Sequence, residues 1–156
     1  HSLRGRIFAE NYLPSKNVFS AEELTEIYEA IEFHDEYQDY SKVPSKIAWL
    51  INVIDKLDIS KNRLEDNYLE RFDYSAYADI ERLDFYKTEN GIKIVIRKIA
   101  EPKIISAAYL FTRNLFAKGM NALRHFAKAY NFVAEVYLED EKLDLESIDT
   151  SVIFDK

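Results

Sequence analysis

The period of the hydrophobic residues changes near Glu81, and this change limits the folds open to the 156-residue chain. Before that point, apolar residues recur every three or four positions, as they do on one face of an α-helix. After it, they alternate with polar residues over two short runs, as in half-buried β-strands. A helical stretch and a last alternating run follow. The sequence therefore predicts an α+β fold, with a helical N-terminal half followed by a β-β-α-β C-terminal unit.

The first half is predicted to contain three helices, at residues 2–13, 20–34 and 45–57. The second helix begins at a capping box, because the Ser20 hydroxyl and the Glu23 carboxylate can each accept a hydrogen bond from a backbone N–H at the helix start. The third helix is apolar on nearly all sides, which predicts a central, buried element. Its Asp55 faces that apolar side, and so it needs a cation, a hydrogen-bond donor or nearby solvent.

The second half begins with a predicted hairpin whose turn is Asn90-Gly91, a dipeptide typical of two-residue turns. A long amphipathic helix is predicted between residues 104 and 130, and Gly119 on its apolar stripe would let it approach the sheet closely. The predicted domains are a partial helical domain at 1–75, a β-β-α-β domain at 81–140 and an acidic tail at 141–156.

The composition excludes several classes of protein. The chain has no cysteine, so a metal would be held by histidine, aspartate or glutamate, and a cytoplasmic location is expected. No apolar run approaches the roughly 20 residues that span a bilayer, so no membrane partner is expected. The net charge of −7 makes nucleic acid an unfavourable partner for the surface as a whole. A local polyanion site stays open as an alternative, because basic residues cluster between Arg97 and Lys128.

Two residues stand out as candidates for chemistry. His34 ends the second helix and Asp55 projects from the third, so the two side chains can converge. Imidazole and carboxylate together suit divalent metals such as manganese, iron, zinc or magnesium. The structural alternative is that a histidine at a helix end and an acid beside Lys56 serve only local electrostatics. His125 lies among basic residues and is expected to be an ordinary surface or half-buried side chain and not a ligand.

The segments around these residues resemble a known family. Ala30–His34 (Ala-Ile-Glu-Phe-His) and Ile54–Asp58 (Ile-Asp-Lys-Leu-Asp), with Arg63 nearby, are similar to the closing half of HD-domain metal-dependent phosphohydrolases. The helix opened by His1 is similar to an earlier histidine helix of that family. The β-β-α-β unit resembles a C-terminal extension found in a bacterial subgroup.

The resemblance implies a role for particular residues. His1, His34 and Asp55 match metal-ligand positions, and His34 and Asp55 would also take part in catalysis. Arg63 and Lys56 match positions near bound phosphate. The implied reaction is hydrolysis of a nucleotide or another small phosphorylated metabolite. The implied cofactor is one or two divalent ions (Mn, Fe, Zn, Co or Mg). The oligomeric state is left open, and a homo-oligomer is one alternative.

Departures from the family pattern leave a second hypothesis open. The first histidine and the adjacent His-Asp dyad of the family would precede His1, and because Met120 is the only methionine we expect the intact protein to begin upstream. His34-Asp35 is not that dyad, because Asp55 follows Asp35 by only 20 residues, which leaves no room for the intervening helices. Without a dyad, the chain would be a degenerate, non-catalytic HD-like module that binds a ligand or a protein partner.

Overall fold

The computed structural model describes residues 1–35, 39–59, 75–103, 105–106 and 114–148. These residues form four α-helices and a mixed four-stranded sheet, which confirms the predicted α+β class. The helices are α1 (Ser2–Tyr12), α2 (Ala21–Phe33), α3 (Lys46–Leu57) and α4 (Asn114–Ala129), and the strands are β1 (Ile80–Lys87), β2 (Gly91–Lys98), β3 (Val133–Leu138) and β4 (Glu141–Leu143). The chain divides into two compact units, His1–Asp55 and Lys56–Lys156.

The first unit is built on α1 and α2, which pack against one another, with Gly5 of α1 next to Ile31 of α2. α2 begins at the predicted capping box: Ser20 Oγ accepts from the Glu23 N–H at 3.2 Å, and the Glu23 carboxylate accepts from the Ser20 N–H at 2.7 Å. Arg6 of α1 forms an ion pair with Glu32 of α2. The polar contacts thus hold the start of α2 and its pairing with α1.

The apolar residues of α1 and α3 are less buried than the sequence pattern predicts. α3 buries Ala48, Asn52 and Val53, whereas Ile51 and Ile54 are exposed, so the prediction of a helix buried on all sides is wrong. The apolar repeat of α1 is also exposed, at Leu3, Ile7, Phe8 and Tyr12. Hydrophobic periodicity reports which side chains favour burial, but a helix buries only the face that a neighbour covers.

The second unit is a four-stranded sheet with the order β1-β2-β3-β4. β1 and β2 form the predicted antiparallel hairpin, and β3 lies parallel to β2 after the crossover through α4. β4 then pairs antiparallel with β3, so residues predicted to be an acidic tail add a strand to the β-β-α-β unit. Leu143 and Ile148 are buried there, and their burial stabilises residues 141–148.

The turn of the first hairpin differs from the predicted one. Lys87 pairs with Ile92, so the strands are joined through Thr88–Asn90 and Gly91 is already part of β2. Neither Asn90 nor Gly91 has the positive φ that the two-residue Asn-Gly turn requires. A Cβ on Gly91 would lie 1.8 Å from the Val133 carbonyl oxygen. The glycine is therefore needed because β3 comes close to β2 at this residue. A close approach of another backbone, and not the turn, explains this glycine.

Gly119 also marks a close approach, but a different one from that predicted. A Cβ on Gly119 would lie 2.7 Å from the backbone oxygen of Lys56, so α4 comes close to the backbone of this residue of its own unit. The absence of a side chain at Gly119 therefore makes room for the Lys56 backbone. It does not serve the predicted approach of the helix to the sheet.

Candidate functional site

His1 and His34 meet although 33 positions separate them in the chain. His34 follows the last residue of α2, and its Nδ1 lies 2.7 Å from the Ile31 carbonyl oxygen. A carbonyl can only accept, so Nδ1 donates its hydrogen and the lone pair of the neutral ring lies on Nε2. That Nε2 is 3.1 Å from Nε2 of His1, the N-cap residue of α1.

The distance between the two imidazole nitrogens fits two arrangements. It suits an N–H···N hydrogen bond in which His1 donates to His34. It also suits two ligands of a single ion, because nitrogens at 3.1 Å that each lie about 2.0–2.1 Å from a metal subtend about 95–100° there. This angle falls between the octahedral and tetrahedral values. The separation of the two nitrogens is therefore compatible with a single divalent ion.

Asp55 and His34 line one cavity of about 660 Å³ between α2 and α3. Asp55 is half-buried, and the other charged groups on the cavity wall are the carboxylates of Glu23 and Glu26. Apolar side chains make up the rest of the lining. Within the described ranges, no group of three His, Asp or Glu side chains is close enough to hold an ion. The structure thus brings His1 and His34 into contact, and it places His34 and Asp55 on the wall of the same cavity.

Asn52 is a further residue that shapes the site, and the sequence interpretation did not select it. Its side chain is fully buried, and its Nδ2 donates to the Phe33 carbonyl oxygen at 2.7 Å. Phe33 immediately precedes His34, so this hydrogen bond fixes α3 against the end of α2. The signal that could have identified it is the one that selected Asp55, namely a polar side chain within the apolar run of α3.

The remaining candidate residues are not placed at this cavity. Arg63 lies outside the described residues. Lys56 is only 5% exposed and belongs to the second unit. His125 is exposed on α4, as predicted, and partial desolvation together with the nearby Arg124 and Lys128 lowers its pKa.

Several members of the predicted basic cluster are paired within the second unit. Arg97 donates to Asp84 and Glu139, each at 2.9 Å. The hydrogen bonds from Arg97 and Arg82 lower the pKa of Asp84. The pKa of Glu139 is lowered by the backbone N–H of Lys98 and by Arg97. Lys128 lies 3.1 Å from Glu146. Because these cations already have anionic partners, the polyanion alternative loses much of its support.

Comparison with known proteins adds no relative. No protein-family model, no curated protein and no solved structure matches the chain. In the part of the chain that the structure describes, every helix is too short or too polar to cross a membrane. The functional interpretation therefore depends on the residues themselves.

Proposed function

We propose that this chain carries part of the site of an HD-type metal-dependent phosphohydrolase that acts on a nucleotide or another small phosphorylated metabolite. The supporting observation is the contact of His1 with His34, beside a cavity that His34 shares with Asp55. These three residues are the ones that the resemblance assigns to the metal. The proposal includes a cytoplasmic location and further ligands from a segment upstream of His1.

The chemistry of the donor set fits a divalent ion. Two neutral imidazoles and a carboxylate suit Mn, Fe, Co or Zn better than Mg, which prefers oxygen ligands. The hydrogen bond from His34 Nδ1 to the Ile31 carbonyl is the kind of outer contact that fixes a ligating imidazole and increases its basicity. When bound, the ion would acidify water and stabilise negative charge on a phosphoryl group.

The protein's own groups then have distinct tasks. Asp55 can accept a hydrogen bond from the attacking water and orient it. His34 has only Nε2 left for chemistry, because Nδ1 donates to the Ile31 carbonyl. The neutral ring would act as a ligand through the Nε2 lone pair, and a ring that is also protonated at Nε2 would act as a proton donor to the leaving oxygen. The resemblance also assigns Arg63 and Lys56 to positions near the substrate phosphate, and this assignment stays a prediction.

The second candidate function is a non-catalytic HD-like module that binds a ligand or a partner. One observation favours it: the charged groups on the cavity wall other than His34 are the three carboxylates of Glu23, Glu26 and Asp55. These groups repel phosphate unless a cation is bound between them.

The two candidates differ in phosphate release by the purified full-length protein. We expect the wild type to release phosphate from at least one member of a panel of nucleotides and sugar phosphates when Mn, Fe, Co, Zn or Mg is added. His34→Ala and Asp55→Asn should abolish release, and the matched control His125→Ala should retain it. If no phosphate is released with any metal and substrate, the non-catalytic module is favoured.

A further inference from the structure

The cavity between α2 and α3 is also an open groove with an acidic rim. Its apolar floor includes Ile27, Ile31, Ile47 and Ile51, and its rim includes Glu23 and Glu26. We call this surface the acidic groove. Its apolar positions are spaced by four residues on both helices, so each helix presents a short apolar ridge along one side of the groove.

The apolar side chains of the acidic groove are incompletely covered in the described structure. α2 has no fully buried residue, although its sequence carries an apolar stripe. Ile47 and Ile51 of α3 are 45% and 41% exposed. Helices of 12–13 residues are marginal alone and depend on burying such a stripe. An occupant that covers the groove would therefore stabilise both helices.

The charge around the acidic groove selects the kind of occupant. α2 contains five glutamates and no basic residue. Glu23 is ionised at neutral pH, because the hydrogen bond from the Ser20 backbone lowers its pKa. Neither lysine nor arginine is found among the described residues that line the groove. A cationic partner is thus attracted, and an acidic one is repelled.

We propose that the acidic groove is the docking site for a basic amphipathic helix of another polypeptide. Its apolar face would lie on Ile31 and Ile51, and its lysines or arginines would lie on Glu23 and Glu26. A helix fits because apolar ridges with helical spacing accept anchors at positions i, i+3, i+4 and i+7. This inference goes beyond the proposed hydrolase and needs no metal.

The direct test is fluorescence anisotropy with a labelled synthetic helix of 18 residues that has leucine at the anchor positions and lysine on both flanks. Two control peptides contain the same residues in scrambled order and the same periodicity with glutamate in place of lysine. We expect the basic helix to bind the full chain at least about tenfold more tightly than either control. Its binding should weaken between low and high salt.

Matched variants locate the binding surface. Glu23→Gln with Glu26→Gln should weaken binding at least about fivefold, and Gln at position 23 keeps the capping box. The control Glu22→Gln with Glu29→Gln removes the same charge from residues of α2 that do not line the groove, and it should change binding by less than about twofold.

A second matched pair tests the apolar floor. Ile51 and Ile54 are both exposed on α3, but only Ile51 lines the groove. Ile51→Ser should weaken binding at least about fivefold, whereas Ile54→Ser should have little effect. Circular dichroism of all variants checks that the helices persist.

Three outcomes would overturn this proposal. The first is equal affinity for the basic and scrambled helices. The second is an equal loss of peptide binding in the groove variants and in their controls. The third is a homodimer, detected by sedimentation, that Ile51→Ser dissociates and Ile54→Ser does not. The last outcome would assign the groove to a second copy of the chain. Binding is measured with and without EDTA, and we expect equal affinities, so failure here is distinguishable from failure of the metal assignment.

Discussion

Gly91→Ala tests the close approach of β2 and β3 most sharply. The added Cβ would lie 1.8 Å from the Val133 carbonyl oxygen and 2.8 Å from the Val133 nitrogen, and because both are backbone atoms the strands must separate. Two backbone hydrogen bonds lie at this point: Thr88 N–H to Gly91 O at 3.1 Å, and Val133 N–H to Asn90 O at 3.0 Å. Both would be weakened or lost.

The expected loss of stability follows from these contacts. Two hydrogen bonds contribute about 1–3 kcal/mol. Overpacking costs about 1–3 kcal/mol more. Alanine also lowers the conformational entropy of the unfolded chain, and this offsets the destabilisation by about 0.4–1 kcal/mol. We therefore expect a destabilisation of about 3 kcal/mol. For amides that exchange only after the structure opens, this corresponds to roughly 150-fold faster exchange.

Hydrogen exchange resolved by mass spectrometry is the suitable assay, because two compact units need not unfold together. Peptides that cover β2 and β3 should show the acceleration. Gly5→Ala is the control, because its Cβ would meet only a side-chain methyl group of Ile31, at 3.1 Å, in the first unit. It should leave β2 and β3 unchanged. Exchange in Gly91→Ala within about threefold of the wild type would refute the reasoning.

Three further predictions follow from single contacts. Asn52→Ala removes the donor to the Phe33 carbonyl and should destabilise the first unit by about 1–3 kcal/mol, measured by urea unfolding with tryptophan fluorescence. Gly119→Ala should destabilise by about 1 kcal/mol in thermal unfolding, because overpacking against the Lys56 backbone exceeds the gain in helix propensity; a higher melting temperature would contradict this. Hydrogen bonds lower the folded-state pKa of Glu139 below its ordinary 4.5, so its contribution is present above that pH and is lost as the pH falls further. Glu139→Gln should therefore be less stable than wild type at pH 7 and approach it at pH 3, and an equal difference at both values would contradict the assignment.

The helices and strands were predictable where local chemistry decides them. The capping box placed the start of α2, and alternation placed β1, β2 and β3, because each signal reflects hydrogen bonding or pleat geometry within a few residues. β4 was not predicted, since it has only three residues and lies in an acidic segment. Its position depends on pairing with β3, a contact that periodicity in so short a segment cannot reveal.

The turn and the exposure of α3 show two different limits of sequence reasoning. Asn90-Gly91 is typical of a two-residue turn, but a glycine also serves where another backbone comes close, and the sequence alone does not distinguish these uses. The apolar run of α3 correctly predicted a helix. It could not predict that Ile51 and Ile54 stay exposed, because exposure depends on which elements cover each face.

The candidate site was predictable in part. Helical geometry predicted that His34 at the end of α2 and Asp55 of α3 converge, and the two residues line one cavity. The meeting of His1 with His34 had no basis in spacing and came only from the family resemblance. Asn52 was passed over because a buried amide carries no charge that would demand an explanation.

The central claim is that His34 and Asp55 hold a shared divalent ion, and the metal content of the purified full-length protein tests it most directly. We predict that elemental analysis finds a transition metal in the wild type and in His125→Ala. His34→Ala and Asp55→Ala should lose it while their helical circular-dichroism signal persists. Equal metal content in the wild type and these two variants, or no metal in the wild type, would contradict the claim.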